Sequence, residues 1–305
     1  MCDTCGCGHP DPHLQPTSAA GHSHAHDHAQ PGGHDHEQDP VHPGGEGHDH
    51  EHPHTHAQAA PRTVRVETDV LAKNDRIARD NRAWFHSRSI LALNLVSSPG
   101  AGKTSLLERT LRDRAADWPW VVIEGDQQTD HDARRIAACG VPVTQINTGT
   151  MCHLDAQMVR DACERLNPPE GAVLLIENVG NLVCPALFDL GEAAKVLVAS
   201  VPEGDDKPAK YPYMFRAAGV VILNKIDLLP HVPFDLDRFQ DYARQANPEA
   251  RVLALSATHG DHLQDWYDWL RDRRAEASSA QKAPAHADSP RDPRPQVQGR
   301  GTARR

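Results

Sequence analysis

The chain has 305 residues and a formal charge of −10 with histidine neutral, and residues 1–60, with nine Asp or Glu and no Lys or Arg, hold nearly all of it. No window reaches the roughly 18 consecutive apolar residues of a membrane helix. The basic, Pro-rich stretch from Gln281 lacks the interleaved aromatics of a nucleic-acid-binding segment.

Residues 1–61 come first in chain order. They are rich in Gly and Pro, poor in large aliphatics, and contain 14 of the 21 histidines. Such a composition cannot offset its ordering entropy, so a disordered metal-binding segment is expected there. It opens with MCDTCGC. Cys2, Cys5 and Cys7 are soft ligands suited to Ni, Cu(I) or Zn, with a redox-active cluster as the alternative. From His48 to His56 histidine takes every second position. Neutral imidazoles bind Ni, Zn and Cu, so the tract reads as a reservoir that empties below about pH 6, or as a solubility tail. The first ten residues show no apolar run of an export signal. With seven cysteines, an odd number, this points to a reducing, cytoplasmic compartment.

A helix is expected over 69–89. Apolar runs at 90–97, 120–125, 143–146, 172–177, 195–201, 219–223 and 251–255 then read as strands. Helical patterns at 103–115, 131–139, 153–166, 234–246 and 261–272 lie between or after them. Strands apolar throughout and alternating with helices predict an α/β fold with a mainly parallel central sheet covered on both faces. Ligands of such folds bind beyond the carboxyl ends of the strands. The expected organisation is therefore a metal-binding segment (1–61), one nucleotide-binding domain (62–273) and a disordered tail (274–305).

The motifs follow the strands. After the first comes SSPGAGKTSLL, residues 97–107. Gly100, Ala101, Gly102, Lys103, Thr104 and Ser105 match the end of a P-loop, with Ser97 where its first glycine would stand. Backbone amides there face the β-phosphate, Lys103 reaches the β/γ-phosphates, and Thr104 offers its hydroxyl to Mg2+. Asn224-Lys225-Ile226-Asp227 follows a later strand. In GTPases such a loop reads guanine: Asp227 accepts from the base N1–H and N2 amine, Asn224 supports the loop, and the Lys225 stem lies on the ring. Ser256-Ala257-Thr258 resembles the further guanine loop, or a plain helix cap. Two acidic strand ends are candidates for the hydrolysis machinery. Asp126, in EGDQQTDHDARRI, would bind Mg2+ or orient the attacking water. Glu177 is the second, in ENVGN, where Gly180 is the candidate amide donor to the γ-phosphate. Asp130 and Asp132 read as solvated acids. Cys152, His153 and Cys184 lie near the switch-like ENVGN and form a candidate metal set, whereas Cys139 and Cys163 read as core residues.

Taken jointly, VSSPGAGKTSLL, EGDQQTDHDA, TGTMCHLDA, ENVGNLVCP, EGDDKPAKYP and NKIDLL resemble the hydrogenase nickel-incorporation GTPases of the HypB type. The resemblance covers roughly residues 62–272 and extends to the terminus through CDTCGC. It implies a P-loop NTPase domain of the signal-recognition and nitrogenase-iron-protein class, in which Ser97 and Glu177 are ordinary. It further implies a GTP-dependent homodimer that delivers Ni2+ to the hydrogenase large subunit alongside other nickel-insertion accessory proteins. It makes Cys2, Cys5 and Cys7 the terminal nickel site. Cys152, His153 and Cys184 become a nickel or zinc (Ni2+ or Zn2+) site at the dimer interface, and Lys207 of EGDDKPAKYP reaches across the dimer near the GTP. Urease-maturation GTPases are close rivals but carry Cys-Pro-His, where this chain has Cys-His. A nickel store with a vestigial nucleotide site, or a small-molecule P-loop kinase, would not need both Lys103 and the guanine-reading NKID.

Overall fold

The computed structural model describes residues 62–127 and 130–282; Cys2, Cys5, Cys7 and the histidine tract lie outside them. Seven strands form one sheet: β1 (Leu91–Ser97), β2 (Trp120–Asp126), β3 (Val143–Asn147), β4 (Val173–Glu177), β5 (Ala194–Ser200), β6 (Ala218–Asn224) and β7 (Arg251–Ala254). Their order is β3-β2-β4-β1-β5-β6-β7, and every neighbouring pair is parallel. The fold expected from the sequence is the one observed.

The strand sequences explain why both faces are covered. In β1, Leu91, Leu93 and Leu95 turn to one face, against Leu106, Leu107 and Leu111 of α2 (Lys103–Asp113). The same cluster takes Trp266 and Leu270 of α9 (Leu263–Lys282). Ala92 turns to the other face, into a cluster with Phe85 of α1 (Arg62–Ser87) and Val159 and Ala162 of α4 (Ala156–Leu166). Val96 joins Phe215 of α7 (Pro212–Ala217) and Phe239 of α8 (Leu236–Ala246) in a third cluster. The remaining helices, α3 (His131–Ala137), α5 (Cys184–Leu187) and α6 (Lys207–Lys210), are short. The chain leaves β1 toward β2 on one side and passes from β4 to β5 on the other. The carboxyl tips of β1, β4 and β2 thus meet at a topological switch point, where open α/β sheets place their ligands.

Some boundaries differ from those expected. The helix expected to open at 153 begins at Ala156, because the Asp155 side chain accepts from the Met158 amide at 2.8 Å and caps it. Cys152 and His153 therefore stand in a loop. The helix expected over 261–272 runs to Lys282, past the expected domain end at 273; Arg274 ties this extension to the Gly171 carbonyl at 2.8 Å. The helices α5, α6 and α7 were not foreseen, and each has a proline in its first turn, where the fixed φ starts a helix without needing an amide. Cys163 is buried as expected, whereas Cys139 is half-buried at the margin of the core.

Two buried asparagines dock α1. Asn74 donates to the Asp189 carbonyl (2.8 Å) and accepts from the Ala156 amide (2.9 Å), and Asn81 donates to the Ala156 carbonyl (2.8 Å). The first residue of α4 is thus held from both its amide and its carbonyl. Gly191 makes this approach possible, since a Cβ there would lie 2.6 Å from the Ala78 carbonyl oxygen. No helix among the described residues is long and apolar enough to cross a membrane.

Candidate functional site

The loop after β1 turns twice through the left-handed region, at Gly100 (φ 76°) and Gly102 (φ 98°). Gly102 has a second constraint: a Cβ there would lie 2.5 Å from Asn224 Nδ2. Helix α2 starts at Lys103, so its amides and its positive dipole end face a cleft of about 520 Å³. Lys103 Nζ donates to Ser97 Oγ at 2.8 Å, and Thr104 Oγ1 donates to Glu177 Oε1 at 2.7 Å. Burial lowers the Lys103 pKa against the pull of Glu177. Ser97, the residue in place of the expected glycine, supplies the hydroxyl that parks this lysine.

Glu177, at the tip of β4, is buried and its carboxyl is pushed up to about 7, chiefly by burial, with Lys103 and Thr104 opposing. Glu124 stands opposite it in register on β2, equally buried and pushed up to about 8 by burial and then by Glu177. One oxygen of each, Oε2, has no hydrogen-bond partner. Thr104 together with the spare Glu177 oxygen is a hard-oxygen set suited to Mg2+, which would neutralise phosphate charge there. Asp126 lies at the mouth of the same cleft, its Oδ1 accepting from the Gln127 amide at 2.5 Å. Gly180 packs its Cα against Pro99 of the phosphate loop, where a Cβ would be 3.1 Å from the Pro99 Cα.

Sequence reasoning missed two lining residues and misjudged a third. Glu124 was read as part of an apolar strand, and only the pairing of β2 with β4 reveals its neighbour. Arg135 of α3 points a guanidinium toward the cleft, held by Glu108 at 2.7 Å and by Asp132 at 2.9 Å. Asp132, taken as a solvated acid, is its partner and lines the cleft, whereas Asp130 pairs with Arg134 in solvent.

The structure brings Asn224, Lys225 and the Ser256–Thr258 loop together beside the phosphate loop. Asn224 is buried; its Nδ2 donates to the Ala101 carbonyl (2.9 Å) and its Oδ1 accepts from the Ala257 amide (3.0 Å). One side chain thus fastens the phosphate loop to the Ser256–Thr258 loop. Lys225 adopts φ 61° and donates from Nζ to the Gly100 carbonyl at 2.7 Å. Asp227 follows in a 3-10 turn (Ile226–His231), with His259 Nδ1 3.8 Å away. Ser256 Oγ accepts from the His259 amide, which shapes that loop as a turn. Lys207, expected to reach across a dimer, donates from Nζ to Ser98 Oγ (2.7 Å) and pairs with Glu203 (2.9 Å) within this single chain, beside the phosphate loop.

Beyond the tip of β4 lies the second cluster. Donor atoms of Cys152, His153 and Cys184 all fall within 4.8 Å of one another. The two sulfurs are 3.1 Å apart, and Cys152 Sγ is 3.9 Å from His153 Nδ1. Two sulfurs each about 2.3 Å from one ion lie roughly 3.3 Å apart at a right angle and roughly 3.8 Å apart in a tetrahedron. The spacing is therefore close to what a shared ion requires. Burial holds the His153 pKa below the usual imidazole value, with Asp155 opposing, so the ring is neutral and able to ligate at pH 7. Phe188 packs on that ring at 3.9 Å between centroids. The set offers two thiols and one imidazole, suited to Ni2+ or Zn2+ and leaving at least one position open.

Comparison with known proteins accords with this geometry. The family profile described as CobW/HypB/UreG, nucleotide-binding domain, matches residues 91–254. The hydrogenase maturation factor HypB of Azotobacter vinelandii is 56% identical over 221 residues, 72% of this chain and 73% of that protein. Its counterpart in Escherichia coli K12 is 48% identical over 288 residues, 90% of this chain and 99% of that one. Among solved structures, HypB from Helicobacter pylori in complex with nickel superposes with a TM-score of 0.63 at 38% identity, covering 67% of this chain and 96% of that one. The chain belongs to the HypB family of hydrogenase maturation factors.

Proposed function

We propose that this chain is a GTP-hydrolysing nickel metallochaperone serving maturation of the [NiFe]-hydrogenase large subunit in the cytoplasm. One observation carries the reading. A single short loop runs from Glu177, which lines the nucleotide cleft, to Cys184, which completes the thiolate–imidazole cluster. Whatever the triphosphate does to this loop is felt by a metal ligand seven residues beyond Glu177.

In this reading GTP lies along the phosphate loop with guanine against Asp227, and Lys103 leaves Ser97 for the β- and γ-phosphates. Mg2+ is held through Thr104 with Glu177, and Asp126 orients the attacking water or completes the metal shell. Gly180 turns its amide toward the γ-phosphate. Nickel is the cargo; zinc is the competing occupant of the inner site. Cys2, Cys5 and Cys7 form the terminal nickel site, and the histidine tract acts as a tethered store. GTP favours a homodimer in which two inner clusters face each other, and other nickel-insertion accessory proteins exchange metal with it.

The test is a Ni2+ titration of the full chain bound to GDP and to a non-hydrolysable GTP analogue, with oligomeric state followed by light scattering. We expect the inner-site affinity to differ at least fivefold between the two forms and the dimer to be enriched with the analogue. Equal affinities in both forms would remove the chaperone reading and leave a nickel store beside an unrelated nucleotide site.

A further inference from the structure

The metal-bearing loop touches the nucleotide cleft at more than one place. Residues 148–154 hang between two strand tips. At the β2 tip, the Thr148 amide donates to the Asp126 carbonyl at 2.9 Å. At the β4 tip, the Leu154 amide donates to Asn178 Oδ1 at 3.0 Å. Cys152 and His153 sit in the span between these two anchors.

Asn178 is built as a fixed post. It is 1% exposed, and it directly follows Glu177. Its own amide donates to the Leu95 carbonyl (2.9 Å) and its Nδ2 donates to Asn94 Oδ1 (3.2 Å), both on β1 just before the phosphate loop. Asn94 in turn donates to Glu192, which pairs with Lys195. Each member of this chain is buried or nearly so, which makes the arrangement costly to distort. The other half of the cluster leaves from the same post, since the Val179 amide also donates to Asn178 Oδ1 at 3.0 Å, but beyond Val179 it is held differently. Cys184 is carried by residues 179–183, which pack onto Pro99 through Gly180 and fold back through Asn181, whose Oδ1 accepts from the Val183 amide at 2.8 Å. Asn181 Nδ2 also reaches the Cys152 carbonyl at 3.4 Å.

We infer that Asn178 is a positioning residue that pins the Cys152–His153 half of the metal cluster to the sheet, so that movement of loop 179–183 with the nucleotide changes the spacing to Cys184. Asn181 is the link that lets the two halves move in register. The inference rests on the proposed coupling of nucleotide and metal, and it assigns that coupling to two side chains that ligate neither ligand. With the post removed, both halves follow the loop together, the spacing no longer depends on the nucleotide, and the affinity difference disappears.

The experiment uses the full chain with Cys2, Cys5 and Cys7 changed to Ser, so that the thiolate-to-nickel absorption band reports the inner cluster alone and the histidine tract is silent. Ni2+ is titrated into GDP-bound and GTP-analogue-bound protein for the parent, Asn178→Ala, Asn178→Asp and Asn181→Ala. Retained GDP binding and an unchanged far-ultraviolet spectrum certify folding. We expect the parent's affinity ratio to fall to within twofold of unity in Asn178→Ala and to rise by at least a further twofold in Asn181→Ala, where the pinned half is no longer drawn along with the loop. Asn178→Asp keeps the acceptor for Leu154 and should retain most of the ratio. Full retention of the ratio in folded Asn178→Ala would overturn the inference. If Asn178→Ala does not fold, an unaltered ratio in Asn181→Ala overturns it instead. A parent with no ratio at all would refute the proposed function rather than the role of Asn178.

Discussion

Glu124 and Glu177 face each other across neighbouring strands, behind a buried lysine, with one orphaned oxygen apiece. Two ionised carboxylates in such a place repel and are poorly solvated, so the pair titrates as a unit and holds its protons well above the usual carboxylate range. The direction of the stability effect follows. Glu124, with an ordinary value near 4.5, is pushed up to about 8 on folding. Its favourable contribution is therefore complete below about pH 4.5 and is lost as pH rises through about 8. Each pKa unit is worth about 1.4 kcal/mol, and relaxation relieves part of that, so the loss is on the order of 2–4 kcal/mol. Glu124→Gln should abolish this loss. Urea unfolding of nucleotide-free protein should find the variant close to wild type at pH 5 and more stable at pH 8.5. An identical pH profile for both proteins would show that Glu124 ionises freely in the fold. Nothing in WVVIEGD announces this pairing, because a strand sequence states which residues alternate but not which strand lies beside it. The placement of Lys103, Thr104, Asn224 and Asp227 was legible for the opposite reason. They sit in short loops whose geometry is fixed by glycines and strand ends within the motif itself.

At the scale of elements, α9 shows how a helix is recruited beyond its local signal. Trp266 is fully buried against the sheet, stacked on Trp269 with centroids 5.4 Å apart, and its indole N–H donates to Thr110 Oγ1 of α2 at 2.9 Å. Thr110 also donates to the Leu106 carbonyl within α2, so the hydroxyl both donates and accepts. Trp266→Ala would leave a large cavity and an unpaired hydroxyl lone pair, costing roughly 3–5 kcal/mol. Chemical denaturation should show a lower midpoint with GDP affinity retained in the folded fraction, since α2 keeps its phosphate end. A change below about 1 kcal/mol would mean that α9 is not part of the cooperative core. The seven strands were readable as apolar runs because parallel strands are buried on both faces. Helix ends were less readable. The start of α4 depended on Asp155 acting as cap rather than as a helical residue, and the reach of α9 depended on Arg274 finding the Gly171 carbonyl far away in sequence. Cys152, His153 and Cys184 were visible as ligand types, but their convergence needed the loop after β4 to fold back over the start of α4.

For the molecule as a whole, residues 177–180 line the cleft and lead through one loop to Cys184 of the candidate metal cluster, and in the proposed function thermodynamic linkage then constrains both sites. If GTP changes nickel affinity by some factor, nickel must change GTP affinity by the same factor. Lys103→Ala separates the sites without touching the cluster. Lys103 donates to Ser97 and faces Glu177, whereas Cys152 and His153 are anchored through Thr148 and Asn178. In the proposed function, removing the ammonium deprives the triphosphate of a buried cation and leaves Cys152, His153 and Cys184 in place. We expect Lys103→Ala to lose hydrolysis and to weaken GTP binding by at least tenfold. Its nucleotide-free nickel affinity should stay within about twofold of wild type. The factor by which nickel alters guanine-nucleotide affinity should collapse toward unity, because the γ-phosphate no longer selects a loop position. Isothermal titration of nucleotide into nickel-loaded and metal-free protein, of Ni2+ into nucleotide-free protein, and a phosphate-release assay, on wild type and variant, measure these quantities. A variant that loses nickel binding together with GTP binding would mean that the cleft and the cluster form one inseparable site.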